Sequence, residues 1–214
     1  MPSRIRQAFR WIVFLCGVLA LCGCPAEPPD AETVSEINGL PASTKIVRAR
    51  KLSDADLPSL ARLPQLEDVD FASGWGVEDA EITDQGLAKL AALGLPRLDY
   101  LNLGYCKKIS DAGLAHVANM KTVTHLMLFG CPQITDDGLM PLLKMQQLIY
   151  LDLRGCPGVT DRGLDRLAEK NNWEQVLLGG CPHITAGGVA RLQSKLPKTR
   201  VEKDDQEWSW NQKS

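Results

Sequence analysis

The chain has 214 residues, of which 24 are basic and 26 acidic, and 44% of it is hydrophobic. That length allows one domain with a substantial core. The slightly acidic balance, with no basic stripe, excludes a nucleic-acid partner, because such binding rests on neutralising phosphates.

The first 23 residues read as an export signal. Arg4, Arg6 and Arg10 precede an apolar stretch of eleven residues, Trp11 to Leu21. A membrane-spanning helix needs about 20 apolar residues, so the stretch suits a cleaved signal better than a span. It closes on Leu21-Cys22-Gly23-Cys24, which resembles the bacterial lipobox. The resemblance implies cleavage before Cys24, diacylglycerol on its thiol and acylation of the new amino group. One acyl chain binds a membrane marginally, whereas two or more anchor stably. The expected address is the bacterial cell envelope. Pro25 stands where many enterobacterial lipoproteins carry an inner-membrane-retaining aspartate, which favours the outer membrane. An ordinary secretory signal with incidental cysteines is the alternative. Losing the three arginines leaves 21 basic residues against 26 acidic ones, a net charge of −5.

Residues 24–44 comprise the lipidated cysteine and a segment with four prolines and four acidic residues. Such a composition is expected to form a disordered tether. The folded domain is expected over 45–203, with a C-terminal tail, 204–214, as a possible cap.

Within the domain a phrase recurs. LDYLNLGYCKKISDAGL, VTHLMLFGCPQITDDGL, LIYLDLRGCPGVTDRGL and WEQVLLGGCPHITAGGV place Cys106, Cys131, Cys156 and Cys181 at intervals of 25 residues. A period in the twenties marks stacked strand-plus-helix units that bury their apolar residues only against their neighbours. An earlier unit starts at Leu66 with Val69 and Phe71; it has no cysteine and about seven extra residues within 74–81. Leu52-Ser53-Asp54-Ala55-Asp56-Leu57 reads as the helical half of a still earlier unit, with its strand near Ile46 and Val47. Arg200-Val201-Glu202 can add a terminal strand.

The pattern L-x-x-L-x-L-x-x-C-x-x-I-[ST]-D-x-G-L resembles the cysteine-containing leucine-rich repeats of F-box proteins and of many bacterial proteins. The resemblance implies an α/β solenoid, a short horseshoe of about five repeats with irregular ends. Its parallel β-sheet would lie on the concave side and its helices on the convex side. The Ser/Thr-Asp pairs offer oxygens to the free N–H groups of a helix start, and Asp111, Asp136 and Asp161 place negative charge near the helix dipole. The glycines two residues after those aspartates leave room for close helix packing. The four cysteines are expected as buried free thiols: equivalent side chains in a stack lie one strand apart but point in parallel directions.

No phosphate loop, metalloprotease motif or nucleophile elbow is present. Catalysis, metal, cofactor and small-molecule substrate are therefore not expected. His116 and His183 read as surface residues, while His125 lies between core strand positions and faces the other way. Residues alternating with the leucines form columns. One reads Asp68, Tyr100, His125, Tyr150, Gln175; the next Asp70, Asn102, Met127, Asp152, Leu177; a third Ala72, Gly104, Phe129, Arg154, Gly179, with Tyr105 beside it.

Aromatic, Met and Arg side chains exposed together are enriched at protein interfaces. The candidate partner site is Tyr100, Asn102, Tyr105, His125, Met127, Phe129, Tyr150, Asp152 and Arg154; alternatively, the same rings stabilise the sheet across strands. Trp208 and Trp210 in the tail can cap the last repeat or dock a partner. The sequence thus points to a membrane-tethered, non-enzymatic module that binds an unknown protein. The alternative is a structural envelope protein that self-associates or contacts cell-wall glycan.

Overall fold

A short leucine run with period two at one end of each unit, and period three to four at the other, makes each unit a strand followed by a helix. The computed structural model describes residues 33–72 and 81–204. The export signal, Cys24, most of the insertion after Ala72 and both tail tryptophans lie outside the described residues.

Seven strands of three residues each form one parallel sheet in chain order: β1 Ile46–Arg48, β2 Asp68–Asp70, β3 Tyr100–Asn102, β4 His125–Met127, β5 Tyr150–Asp152, β6 Gln175–Leu177 and β7 Arg200–Glu202. The middle residue of each strand, Val47, Val69, Leu101, Leu126, Leu151, Val176 and Val201, registers with its neighbours and points into the solenoid. Leu101, Leu126, Leu151 and Val176 have no exposed surface. Truncating such a leucine to Ala removes about 2–5 kcal/mol.

Helices pack behind the sheet: α1 Val34–Gly39, α2 Asp84–Ala92, α3 Asp111–Val117, α4 Asp161–Leu167 and α5 Ala186–Lys195. The two remaining units carry 3-10 turns instead, over Leu57–Arg62 and over Asp137–Leu139 and Pro141–Lys144. The repeat pattern leads one to expect a helix after every strand. Pro58 and Pro141 stand at the start of the exceptions, and a proline removes a helix donor.

The tether boundary at 44 needs correction. Thr33 accepts from Glu36 N–H, and the Glu36 carboxylate accepts from Thr33 N–H at 2.9 Å, a reciprocal capping box that starts α1. Ile37 is fully buried in the main core, and Arg62 donates to the Ile37 and Leu40 carbonyls at its far end. This helix covers the first unit, which would otherwise expose apolar surface as solenoid ends do.

Neighbouring units are joined by a carboxylate ladder. Asp54, Asp84, Asp111, Asp136 and Asp161 each reach to the next unit, where one oxygen accepts from a backbone N–H and the other from a hydroxyl. The recipients are Thr83, Ser110, Thr135, Thr160 and Thr185, at 2.5–2.9 Å. Each hydroxyl in turn accepts from an N–H of its own helical segment. The hydroxyls are thus the caps, and the aspartates act one repeat further on. The glycine is required by the same contact: a Cβ on Gly163 would lie 2.4 Å from Asp136 Oδ1, and one on Gly138 2.1 Å from Asp111 Oδ1.

The four repeat cysteines are buried and unbridged. Cys131, Cys156 and Cys181 donate to the carbonyls of Leu103, Leu128 and Leu153 in the preceding unit, each at 3.1 Å. Burial pushes the thiols of Cys106, Cys131 and Cys156 well above the ordinary range, and that of the last, Cys181, up to about 11.

Candidate functional site on the concave sheet

The strand register brings the predicted columns together as side-by-side rows on the concave face. In the first column the rings stack. Tyr100 and His125 have centroids 6.0 Å apart, and His125 and Tyr150 lie 5.4 Å apart with planes 25° from parallel. Offset stacking of this kind contributes about 0.5–1.5 kcal/mol per pair beyond burial.

His125 is held from behind. The Thr124 hydroxyl donates to Asp99 and lies 2.6 Å from His125 Nδ1. Since its one proton is directed at Asp99, its oxygen accepts from Nδ1. That places a proton on Nδ1 and orients the ring. Sequence reasoning missed this relay, although a Thr before the strand residue and an Asp 25 positions earlier are both visible.

In the third column the rings lie over glycines. Phe129 spreads across Gly104, where a Cβ would come 2.1 Å from the ring. Tyr105 sits beside Gly130, which has a φ of +68°, and meets Phe129 edge-on at 5.3 Å. The guanidinium of Arg154 stands 6.0 Å above Phe129. A planar, weakly hydrated cation over an aromatic face is a common interface arrangement.

The middle column has a different role. Asp70, Asn102 and Asp152 each accept from the N–H two residues on, at Ala72, Gly104 and Arg154, closing the turn at the end of the strand. Asp152 also takes two further contacts from Nε and one from a terminal nitrogen of Arg154, at 2.7–3.1 Å. Only 1% of its side chain is exposed, against 25% for Arg154.

Three of the nine predicted site residues are therefore not exposed as expected. Met127, Tyr150 and Asp152 are buried. Met127 and Tyr150 join Leu177 in a small apolar cluster against which Tyr100 and Phe129 pack. Burial, then the nearby Asp152 charge, holds the Tyr150 phenol well above its ordinary range, so it stays protonated. The reachable surface consists of Tyr100, Asn102, Tyr105, His125, Phe129 and Arg154, all half-buried. The rings thus serve both readings of the sequence: a packed base stabilises the sheet, and an upper layer remains available.

Other chemistry is sparse among the described residues. No group of three or more His, Cys, Asp or Glu side chains converges there. A cleft of about 220 Å³ lies between Leu90–Leu98 and Asn119–Thr122, and no carboxylate, histidine or cysteine lines it. No described helix is long and apolar enough to cross a membrane.

The seven-strand parallel sheet, backed by short helices and 3-10 turns, is matched by known proteins. A family model described as a leucine-rich repeat matches residues 119–143 and 144–168. The chain is a leucine-rich-repeat solenoid. No curated protein matches it. Among solved structures, it is similar to TLR13 in its complex with ssRNA13, at 14% identity and a TM-score of 0.52, covering 78% of this chain and 27% of that one. It is also similar to internalin C2 of Listeria monocytogenes, at 20% identity and a TM-score of 0.47, covering 74% and 61%. The yeast Rad7–Elc1 complex gives 17% identity and 0.43, covering 77% and 51%. The chain spans between about a quarter and three fifths of these longer chains, and the likeness concerns the fold.

Proposed function

We propose that this leucine-rich-repeat chain is a binding module that engages a protein partner on its concave sheet and is held at a bacterial membrane by lipid on Cys24. The observation that carries the reading is the aromatic layer of Tyr100, His125, Phe129 and Tyr105 with Arg154 over it. A face meant only for solvent would be covered by Lys, Glu and Thr, whereas aromatic and Arg side chains are where interface energy concentrates. The scaffold supports binding, since seven short parallel strands offer a broad, continuous surface. The lipobox-like Leu21-Cys22-Gly23-Cys24 and the proline-rich segment after it support the anchor.

Hot-spot truncations cost about 2 kcal/mol or more, so Phe129→Ala or Arg154→Ala should weaken partner binding by roughly 30-fold. Unchanged binding of a co-purifying partner to both variants would rule out the concave site. The anchor is tested by palmitate labelling in cells. Label is lost on Cys24→Ser, and label persisting on that variant refutes the assignment.

A further inference from the structure

The carboxylate ladder changes at its two ends and nowhere between them. In the five units that receive an aspartate, the residue three places after the recipient Ser or Thr is glycine: Gly86, Gly113, Gly138, Gly163 and Gly188. Each makes room for the arriving carboxylate, since a Cβ there would lie 2.1–2.4 Å from one of its oxygens.

In the first unit that place is taken by Asp56, three residues after Ser53. The Asp56 carboxylate accepts from the Ser53 N–H at 2.8 Å and from the Ser53 hydroxyl at 2.7 Å. These are the two donors that a preceding unit's aspartate engages everywhere else; Thr83 offers the same pair to Asp54 at 2.9 and 2.5 Å. The first unit thus supplies its own carboxylate from the position where the others keep a gap. Helix α1 covers the apolar end of this unit, and Asp56 does the same for its polar ladder.

The other end is closed on the sending side. The residue after the recipient is Asp54, Asp84, Asp111, Asp136 and Asp161 in five successive units, and then Ala186 after Thr185. Thr185 still receives Asp161 at 2.8 and 2.7 Å, so the last unit takes from its neighbour and passes nothing on. Stacked parallel strands invite further copies at their edges, and head-to-tail contacts repeat without closing.

We propose that Asp56 and Ala186 are stops that keep the solenoid from extending into a second copy of itself. An incoming aspartate would meet the Asp56 carboxylate where its own must sit, and like charges in contact are strongly unfavourable. At position 186 there is no aspartate to send. The protein therefore works as a single solenoid, which counts against the structural reading in which copies associate end to end. This inference does not depend on the concave-site reading.

The test mixes 14N- and 15N-labelled full chain and crosslinks its lysines, so that links between copies are told from links within one. The diagnostic link joins Lys45 or Lys51 of the first unit to Lys195 or Lys198 of the last. Asp56→Gly combined with Ala186→Asp restores the ladder sequence at both ends. One hydrogen bond to a charged group is worth about tenfold in association, so the double variant should give at least about tenfold more of these links. Wild type and both single variants should stay at background, with circular dichroism reporting native structure in each. Between-copy links in wild type, a single variant that equals the double, or a natively folded double variant without a gain would overturn the proposal. The wild-type result stands even where Asp56→Gly fails to fold.

Discussion

Gly163→Ala tests the carboxylate ladder, because two well-established effects act on it with opposite sign. Replacing a helical glycine by alanine normally stabilises by up to about 1 kcal/mol. Gly163 lies in the first turn of α4, where the added Cβ would come 2.4 Å from Asp136 Oδ1. The carboxylate must then leave, and both of its bonds to Thr160, at 2.8 and 2.7 Å, are lost. Hydrogen bonds to a charged group contribute about 1.5–3 kcal/mol each, so the loss is roughly 3 kcal/mol at the lower figure. The single variant should therefore be less stable by about 2 kcal/mol net. Asp136→Ala removes the same bonds and should cost about 3 kcal/mol. In that background the clash is gone, and Gly163→Ala should become neutral or stabilising. Urea unfolding of the four proteins of this double-mutant cycle measures the change of sign as a coupling energy. Gly163→Ala that stabilises in both backgrounds would refute the ladder as the reason for the glycine.

Lys170 occupies the place that Met120 and Met145 hold in the two preceding units, and it is buried. Its amine donates to the Leu148 carbonyl and lies 3.8 Å from the Trp173 ring, while burial lowers its pKa to about 8. The unfolded chain, with a lysine pKa near 10.4, binds more protons than the folded one between these values, so stability should rise as pH goes from about 8 to about 10. Lys170→Met should raise the melting temperature at pH 7 and abolish that slope; a slope that survives in the Met variant assigns it to another group. Asp161, held below the usual carboxylate range by hydrogen bonds from Thr185, gives a slope of the same sign in the acid range. Its contribution is complete above a pH of about 4 and is lost as acid protonates it, so Asp161→Asn should be less stable than wild type at pH 7 by an amount that shrinks as the pH falls below about 4, and a difference that stays constant with pH argues against it. Cys106, Cys131, Cys156 and Cys181 should resist iodoacetamide at pH 8 in the native protein and react fully in guanidinium. Rapid native labelling at any of the four would show that its thiol is not buried as described.

Much of this was legible because the repeat imposes one register on every unit. Once the cysteines are aligned at 25-residue intervals, the three concave columns and all seven strands follow, including Arg200–Glu202 with its single inward-facing valine. What stayed hidden depends on contacts between units. An aspartate at a helix start reads as a local cap, and only the three-dimensional stack shows its carboxylate on the next unit's Ser or Thr. Burial of Met127 and Tyr150 was hidden for the same reason, since alternation identifies the face but not the curvature that crowds it. Helix α1 was legible and was overridden by composition: Thr33-Val34-Ser35-Glu36 is a capping-box sequence inside a proline-rich segment. The Asp99–Thr124–His125 relay needs two neighbouring strands before it exists at all.

The binding claim is tested most directly by site-specific photo-crosslinking in intact cells, comparing a probe at Tyr105 on the concave face with one at Glu169 behind the sheet. The account predicts one discrete protein adduct from position 105, lost when Phe129→Ala is added, and none from position 169. The same adduct from both positions, or an adduct at 105 indifferent to Phe129, would contradict it.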